Sequence, residues 1–385
     1  MKKRLLCAVF VCLLLLPLAP CVYAEELDLP VPSCILMEKD TGQILYEQNA
    51  HEKLRPASVT KIMTLLLVME ALDNGSIGWD DMVTTSAAAA AKGGSQIYLE
   101  ENEQLPLTEM LKSVVVSSAN DCACALAEHV AGSEAAFVSR MNARAEELGM
   151  TDTHFVNCTG LDDGPDADTH LTTAYDIALM SCALLKHDEI KQYTTIWMDT
   201  VRDGQFGLSN TNKLVRFYDG TTGLKTGYTS AAGYCLSASA ARGGMELIAV
   251  VLHCKSSTDR FESAKALLNY GFSNYALYTP EAEPAPVPVV LGTQDFVTPV
   301  LQDSTPLLVE KAKLAQLRTE LLQDESVRAP VSAGQQLGTV RVLDGGAVLA
   351  EIPLLAPGDV PALTFFDLWG EVLRGMAFAK PSGNP

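Results

Sequence analysis

The sequence predicts a mixed α/β (α+β) fold, in which an antiparallel sheet flanked by helices is followed by a small all-β domain and an amphipathic helix. Segments with strand patterns lie at both ends of residues 25–279, and helical patterns lie between them. A Pro-rich linker at 280–288 leads into short apolar segments at 289–361 and a helical tail at 362–385. We therefore expect two domains and a tail.

The composition is that of a globular protein with an acidic surface. The chain has 385 residues, of which 48% are hydrophobic, and its formal net charge is −19. This hydrophobic content is ample for a packed core. The strongly negative charge repels phosphate backbones, so we expect no nucleic-acid partner.

The first 24 residues have the pattern of a secretory signal peptide. Lys2, Lys3 and Arg4 precede an apolar stretch that ends in small residues at Ala24. Cleavage would remove three positive charges and no negative ones, which changes the formal charge from −19 to −22. An uncleaved anchor is the alternative, whereas lipid modification of Cys21 is disfavoured because Pro20 precedes it.

Seven cysteines remain after residue 24, an odd number whose spacings show no compact disulfide framework. Most lie in apolar runs, as small core residues do. Cys122 and Cys124 are two apart on a predicted helix and so point to different faces. We expect no obligatory disulfide. The sequence also predicts no zinc or other metal site, because no His, Cys or carboxylate cluster has metal-ligand spacing.

A β-hairpin and a buried helix open the first domain. Apolar segments at 34–38 and 43–48 flank a turn at Asp40-Thr41-Gly42. The apolar run at 62–69 ends before Gly75, which predicts a buried helix.

The middle of the first domain is predicted to be helical. Helical patterns cover 106–132 with a break at 117–120, then 134–148 and 172–184. Ser118 and Asn120 therefore lie between helices. The segment 157–173 is rich in Asp, Gly and Thr, which predicts an ordered loop. Its acidic residues are either solvated or part of a wall of the active-site cleft.

The strand pattern returns at 221–254, with a turn at 242–244, and a helix is predicted at 258–270. Lys225 lies on the first of these strands and is a candidate cation. Arg260 lies in the first turn of the helix, where a positive charge is unfavourable, so it is a candidate ligand-binding residue. An ordinary solvated arginine is the alternative.

The second domain and the tail have no candidate catalytic residues. Short apolar segments at 287–355 predict a small β domain, with a short helix at 314–322. Residues 365–380 place two Phe and a Trp on one helical face. This segment is too short to span a bilayer. It either lies in the membrane interface or packs back on the protein.

Ser58 and Lys61 are the first candidate catalytic pair. Three apart on a helix, they share one face. A serine is a poor nucleophile until a base takes its proton, and a lysine acts as that base only when neutral. From a reference pKa of about 10.4, this requires roughly 4 kcal/mol from burial and nearby positive charge. We therefore expect a second cation in the site.

Two further motifs distinguish this pair from a chance match. Ser118-Ala119-Asn120 begins 60 residues after Ser58, and Lys225-Thr226-Gly227 begins 107 residues after Ser118. The three motifs in this order resemble those of the penicilloyl-serine transferases. The flanking residues 114–121 and 223–233 resemble the low-molecular-mass penicillin-binding proteins that are D-alanyl-D-alanine carboxypeptidases. The resemblance covers residues 30–275 and implies a β-lactamase/transpeptidase-like domain; the linker, β domain and tail resemble the same subgroup more weakly.

The resemblance implies catalytic roles for the motif residues. Ser58 would attack the carbonyl of the penultimate D-alanine, with Lys61 as its base. Lys61 would be kept neutral by burial and by Lys225. Ser118 would relay the proton to the leaving D-alanine, and water would then hydrolyse the acyl-enzyme.

The resemblance also implies binding roles. Asn120 would orient the substrate amide and the catalytic lysine, while Thr226 and Arg260 would bind the terminal carboxylate. The oxyanion would be held by the backbone N–H groups of the nucleophile and of Tyr228, the residue after Gly227.

By the same resemblance, the enzyme would act at the extracytoplasmic face of a bacterial envelope on peptidoglycan stem peptides. β-Lactam antibiotics would be acylating inhibitors, and no metal or organic cofactor would be needed. The middle motif is Ser-Ala-Asn rather than the Ser-Asp-Asn of class A β-lactamases, and no Glu-x-x-Leu-Asn is present. We therefore expect slow loss of a bound penicillin.

Other functions remain open on the sequence alone. A D,D-endopeptidase or a β-lactamase would use the same chemistry. A noncatalytic wall-binding module is disfavoured because every motif residue is present. A Ser-His-Asp hydrolase is disfavoured because none of the six histidines lies in a recognisable motif, so replacing each histidine should leave activity intact.

Overall fold

The computed structural model describes residues 27–302 and 306–378, with only the backbone described at 371, 372 and 374–378. The predicted signal peptide at 1–24 and the end of the predicted tail lie outside the described residues. Residues 27–30 contain no helix or strand, and residues 31–378 belong to a separate unit.

The described strands are short in the middle of the chain and longest around the predicted Lys-Thr-Gly motif. In chain order they are β1 (Ser33–Glu38), β2 (Ile44–Gln48), β3 (Met82–Thr84), β4 (Gln104–Pro106), β5 (Met198–Val201), β6 (Phe206–Ser209), β7 (Thr221–Thr229), β8 (Gly233–Arg242), β9 (Met245–Cys254), β10 (Tyr275–Tyr278), β11 (Val287–Val290), β12 (Phe296–Val297), β13 (Val300–Leu301), β14 (Leu307–Glu310), β15 (Leu317–Gln323), β16 (Val327–Arg328), β17 (Gln336–Asp344) and β18 (Ala347–Leu355).

The described helices lie mostly between β2 and β7. In chain order they are α1 (Lys61–Asp73), α2 (Ala87–Ala90), α3 (Leu107–Ser117), α4 (Asn120–Ala131), α5 (Glu134–Glu147), α6 (Ala174–Leu184), α7 (Lys191–Thr194), α8 (Leu214–Phe217), α9 (Ser257–Asn274) and α10 (Phe365–Phe378). A 3₁₀ turn, Ala57–Thr60, runs directly into α1.

The first domain is built on a five-stranded antiparallel sheet with strand order β2-β1-β9-β8-β7. Both faces of the sheet are covered. Ile35 and Met37 of β1 belong to the core shared with α1 and α6. Leu36 points to the other face, toward Gly271 of α9, where an added Cβ would lie 2.9 Å from its Cδ2. This double burial explains why the central strands are almost continuously apolar in sequence.

Side-chain caps fix the starts of several helices. The Thr173 hydroxyl accepts a hydrogen bond from the Asp176 N–H at 3.0 Å and begins α6. The Ser256 hydroxyl accepts one from the Asp259 N–H at 3.0 Å and begins α9. These caps satisfy N–H groups that have no partner within the helix. The predicted helices at 134–148, 172–184 and 258–270 are confirmed, with ends shifted by a few residues.

The C-terminal region is β-rich, as predicted. It contains a three-stranded sheet, β12-β11-β16, and a four-stranded sheet, β13-β18-β17-β15, around a small apolar core. The helix predicted at 314–322 is wrong. A 3₁₀ segment, Lys311–Gln316, gives way to strand β15, because pairing with β17 satisfies the backbone there. Strand β11 begins at Val287, inside the predicted linker, and the domain boundaries themselves stay a prediction.

The predicted tail helix is present as α10. The side chains of Phe365, Phe366, Trp369 and Leu373 are all exposed. In the part of the chain that the structure describes, no helix combines the length and the apolar character needed to cross a bilayer.

Candidate active site

Ser58 lies in the turn before α1, and the backbone of this turn is tightly constrained. Ala57 has φ +48°, in a region that residues with a side chain rarely adopt. Gly160 packs against it: a Cβ at Gly160 would lie 1.8 Å from the Ala57 carbonyl oxygen. The sequence did not reveal this contact, since the two residues are far apart in the chain. It constrains the backbone of the residue directly before Ser58.

Lys61 is fully buried and lies next to the nucleophile. Its Nζ lies 3.1 Å from Ser58 Oγ and donates to Asn120 Oδ1 at 2.5 Å and to the Thr159 carbonyl at 2.8 Å. The predicted proximity of serine, lysine and asparagine is therefore present in the structure. The backbone carbonyl of Thr159 was not foreseen, because a carbonyl has no sequence signature.

Ser118 and Asn120 occupy the junction between α3 and α4. Ser118 adopts the left-handed conformation, with φ +63°, and its buried Oγ has no hydrogen-bond partner among the described residues. Asn120 Nδ2 donates to the Gly93 carbonyl at 2.7 Å. A Cβ at Gly94 would approach this Nδ2 to 2.8 Å, so a glycine is needed there. The junction therefore presents one free hydroxyl and one anchored amide.

Asp121 is a supporting residue that sequence reasoning missed. Its buried carboxylate accepts hydrogen bonds from the backbone N–H groups of Ile97 and Leu99, each at 3.1 Å, and of Cys122 at 2.9 Å. These bonds hold the segment that contacts Asn120 against the start of α4. The sequence signal for this supporting role is the position of Asp121 directly after the Ser-Ala-Asn motif.

Strand β7 brings the third motif to the nucleophile. A Cβ at Gly227 would lie 2.7 Å from the Pro56 carbonyl oxygen and 3.1 Å from the Ser58 nitrogen, so only glycine lets the strand approach. Thr226 Oγ1 donates to Thr211 Oγ1 at 2.6 Å. Lys225 is buried, and its Nζ donates to the Thr226 carbonyl at 2.9 Å.

The two buried amines have strongly altered acid–base properties. Burial lowers the pKa of Lys61 to about 7, which confirms the expected direction. Burial, and then repulsion from Lys61 and Arg260, lowers the pKa of Lys225 well below its usual range. The expected cause was burial together with Lys225; burial is the largest cause of the shift, and Lys225 is not among the groups that produce it. Lys61 Nζ has more hydrogen-bond acceptors than Lys225 Nζ. We therefore infer that, when only one of the two amines is protonated, the proton is on Lys61.

Tyr228 and Arg260 both contact Tyr234 of β8. The Tyr228 side chain is 53% exposed and stacks on Tyr234 at 4.4 Å between ring centroids. Arg260 is buried, and its Nη1 donates to the carbonyls of Gly227 at 3.2 Å and Cys235 at 3.3 Å. The guanidinium therefore supports the backbone of β7 in the described state. Its predicted contact with a substrate carboxylate stays a prediction.

A buried histidine also supports the nucleophile turn. The Val156 N–H lies 3.3 Å from His170 Nδ1, and His170 Nε2 lies 2.9 Å from Thr60 Oγ1, which donates to the Ala57 carbonyl at 2.8 Å. Since Nδ1 faces a donor, Nε2 carries the proton. Burial lowers the pKa of His170 to about 4, so the ring is neutral near pH 7. Because His170 supports the turn that contains Ser58, we expect its replacement to affect activity, contrary to the prediction that every histidine is dispensable.

The acidic loop contributes to the site through its two ends. Asp162 and Asp168 both form ion pairs with Arg55, three residues before the nucleophile. Thr159, at the start of the loop, contacts Lys61. The loop is therefore an ordered wall beside the catalytic residues. Among the described residues, one group of three potential metal ligands occurs, and it lies outside this constellation: Cys124, Glu134 and Cys158.

An antiparallel sheet with helices on both faces, and a serine beside a lysine of depressed pKa, define a serine acyl-transfer enzyme. The comparisons with known proteins agree. Residues 22–256 match the family model described as D-alanyl-D-alanine carboxypeptidase, and residues 272–362 match the C-terminal domain of penicillin-binding protein 5.

Individual relatives cover most of this chain. D-alanyl-D-alanine carboxypeptidase DacF of Bacillus subtilis is 41% identical over 94% of this chain and 96% of its own length. DacC of Escherichia coli is 34% identical over 92% of each chain. Penicillin-binding protein 5 from Haemophilus influenzae superposes with a TM-score of 0.74 at 29% identity, covering 86% of this chain and 98% of its own.

The chain belongs to the D-alanyl-D-alanine carboxypeptidase family, within the low-molecular-mass penicillin-binding proteins. It is a serine-type peptidase of that family, which confirms the function inferred from the motifs. One related structure, penicillin-binding protein D2 from Listeria monocytogenes, contains bound ampicillin and is 32% identical over 64% of this chain and 99% of its own, with a TM-score of 0.59.

Proposed function

We propose that this protein removes the terminal D-alanine from peptidoglycan stem pentapeptides through an acyl-enzyme on Ser58. The observation that carries the proposal is the 3.1 Å contact between Lys61 Nζ and Ser58 Oγ, at an amine whose pKa is lowered to about 7. At that pKa a substantial fraction of Lys61 is neutral near pH 7, and only the neutral amine accepts a proton.

The acylation step follows from this geometry. The Ser58 proton moves to Lys61 Nζ as Oγ attacks the carbonyl of the penultimate D-alanine. The oxyanion is stabilised by the backbone N–H groups of Ser58 and Tyr228, which β7 brings close together at Gly227. The C–N bond then breaks. The departing amine takes its proton from Lys61 through the unpaired Ser118 hydroxyl.

Deacylation reverses the same proton transfers. Water attacks the acyl carbon and gives its proton to Lys61, and the bond from the acyl carbon to Ser58 Oγ breaks as Oγ takes that proton back from Lys61. Lys225 and Thr226 bind the terminal carboxylate of the incoming substrate. A carboxylate beside Lys225 favours its ammonium form, which moves positive charge from Lys61 to Lys225 and leaves the base neutral.

Asn120 and Arg260 support this machinery in addition to the substrate contacts that the resemblance implies for them. Asn120 fixes the position of Lys61, and Arg260 holds the β7 backbone against the nucleophile through the Gly227 carbonyl. β-Lactams acylate Ser58 by the same attack and are released slowly, because no glutamate of the Glu-x-x-Leu-Asn type is present.

We also propose that the enzyme works outside the cytoplasm with α10 lying in a membrane interface. The alternative, in which the tail packs back on the protein, does not suit the described side chains, since Phe366 is 83% exposed and its aromatic neighbours are also open. Aromatic residues on one helical face favour the interface between lipid and water.

Release of free D-alanine from diacetyl-Lys-D-Ala-D-Ala tests the proposed reaction. The protein should release D-alanine, and Ser58→Ala should abolish release while Ser139→Ala, at an exposed serine on α5, leaves it unchanged. Release that persists in the folded Ser58→Ala protein would refute the assignment. Activity only on cross-linked dimers would identify an endopeptidase instead.

A further inference from the structure

Three side chains with metal-ligating atoms meet beside α4, one helical turn after Asn120. The ligand atoms of Cys124, Glu134 and Cys158 all lie within 4.8 Å of one another. Cys124 lies on α4, Glu134 is the first residue of α5, and Cys158 lies in the loop that leads to the catalytic lysine's carbonyl partner. Both cysteines are fully buried and carry free thiols. This cluster could not be predicted from the sequence, because the spacing of its residues matches no metal-binding motif.

The separations match a tetrahedral site. Cys158 Sγ lies 3.2 Å from Glu134 Oε1, and Cys124 Sγ lies 3.8 Å from Glu134 Oε2. In tetrahedral zinc sites with Zn–S bonds of about 2.3 Å and Zn–O bonds of about 2.0 Å, neighbouring S and O ligands lie about 3.5 Å apart. The two contacts use different oxygens of Glu134, so a rotation of this carboxylate would bring one oxygen and both sulfurs to one ion. A water molecule would fill the fourth position.

The charges of the cluster suit a divalent ion. Two thiolates and a carboxylate carry three negative charges, which a divalent cation and one neighbouring ammonium balance. That ammonium is present: Lys92 Nζ lies 2.6 Å from Glu134 Oε2. The Lys92 and Glu134 side chains are 22% and 23% exposed, so they give an ion a path from solvent to the buried sulfurs.

We propose that Cys124, Cys158 and Glu134 bind a thiophilic divalent cation of the Zn²⁺ class as a structural site. Each thiol releases its proton to solvent when its sulfur becomes a ligand, so binding is weaker at acidic pH. Thiolate sulfur and carboxylate oxygen in tetrahedral arrangement favour Zn²⁺ over Mg²⁺ or Ca²⁺. The ion takes no part in the acyl-transfer chemistry.

The position of this site couples it to the catalytic lysine. The Cys158 carbonyl accepts from Thr64 Oγ1 at 2.6 Å, and the carbonyl of the next residue, Thr159, accepts from Lys61 at 2.8 Å. Cys124 lies on the helix that begins with Asn120, the other partner of Lys61. A bound ion would join these two supports and hold the lysine more rigidly.

Cobalt(II) is the probe that tests this site, because its thiolate charge-transfer and tetrahedral ligand-field bands report the ligands directly. We expect the purified, reduced protein to bind one equivalent with both sets of bands, and Zn²⁺ to displace it. Cys124→Ala and Cys158→Ala should abolish the charge-transfer bands. Glu134→Gln should weaken cobalt binding by about tenfold or more, a loss that even changes to outer ligand partners produce.

Two matched variants serve as controls. Cys182→Ala removes another largely buried thiol, and Glu70→Gln removes a carboxylate that is 27% exposed and pairs with Arg144 at 2.8 Å. Neither should alter the cobalt spectrum. Zn²⁺ should raise the midpoint of thermal unfolding of the parent protein and not that of Cys158→Ala.

The parent protein alone can overturn the proposal, whether or not the variants fold. Absence of charge-transfer bands in protein whose cysteine thiols all react with a thiol reagent after denaturation would refute it. So would bands that persist in the cysteine variants. Recovery of Cys124 and Cys158 as a disulfide that forms again after reduction, with no metal bound, would identify a redox pair in place of a metal site.

Discussion

Lys61 Nζ lies 2.5 Å from Asn120 Oδ1, and this contact joins the first motif to the second. It also offers the lysine an uncharged acceptor. A neutral amide positions the amine without strongly favouring its charged form, whereas a carboxylate at the same place would keep the lysine protonated. Burial is therefore the main cause of the lowered pKa of Lys61.

The rate of acylation should depend on pH through Lys61. Since only the neutral amine acts as base, the rate should rise as pH increases through about 7, the value to which burial lowers the pKa. Labelling rates with a fluorescent penicillin across this range measure the effect. A rate that is constant from about pH 6 to 9 would contradict the role of Lys61.

Asn120→Asp should shift this profile to higher pH. A carboxylate 2.5 Å from Nζ raises the lysine pKa, by about 1 to 3 units for a close charge pair. Asn74→Asp, at an exposed helix end, is the matched control and should leave the profile where it is. An unchanged midpoint in Asn120→Asp would show that Lys61 is not the titrating base.

Gly227→Ala should abolish acylation without unfolding the protein. The new Cβ meets two backbone atoms, the Pro56 carbonyl oxygen at 2.7 Å and the Ser58 nitrogen at 3.1 Å, so β7 must move away from the nucleophile. Gly207→Ala is the control, because a Cβ there meets nothing within 4 Å. Penicillin labelling and circular dichroism separate loss of activity from loss of fold; full labelling of Gly227→Ala would show that the close approach is not required.

His170 should make the folded state sensitive to acid. Its pKa is lowered from 6.5 to about 4 in the folded protein, so the unfolded chain binds the proton first. The contribution of His170 to the free energy of unfolding is therefore complete above about pH 6.5. It falls by about 3 kcal/mol as pH decreases to about 4. Urea unfolding across this range measures it.

His170→Gln should flatten this acid dependence, and it should also slow acylation because the support for the Ala57 carbonyl is weakened. His129→Gln, at a half-buried histidine paired with Asp81, is the control and should leave acylation unchanged. If His170→Gln and the parent protein lose the same free energy of unfolding at acidic pH, His170 is not the group that makes the fold sensitive to acid. Slower acylation in that variant would also correct the expectation that all histidines are dispensable.

Membrane association should depend on the exposed face of α10. Phe366→Ser with Trp369→Ser should reduce co-sedimentation with phospholipid vesicles, because both rings would bury in the interface. Phe296→Ser, which removes a 57% exposed ring from β12, should have no effect. If the Phe366→Ser/Trp369→Ser variant and the Phe296→Ser control both bind vesicles as well as the parent protein does, α10 contacts a partner other than lipid.

The three motifs made the positions of Ser58, Lys61, Asn120 and Gly227 predictable, because the residue types and their spacing can be read from the sequence. The central strands and long helices were predictable for a similar reason, since their apolar periods are set by burial. The resemblance to a known family supplied the roles.

The remaining features depend on contacts between distant segments. The Thr159 carbonyl, the Gly160 approach to Ala57 and the His170 support have no local pattern, since a backbone oxygen carries no residue identity. Arg260 was selected for its position in a helix, but its described contacts are to carbonyls of β7 and β8. The false helix at 314–322 arose because leucine spacing there suits a helix, while strand pairing decides the outcome.

The most direct test of the central claim is to map the acylated residue after brief reaction with ampicillin, by intact mass and peptide fragmentation. We predict one adduct, on Ser58, formed about 10²- to 10⁴-fold more slowly when Lys61 is replaced by methionine. An adduct on Ser118 or any other residue, or an unchanged rate in Lys61→Met, would contradict it.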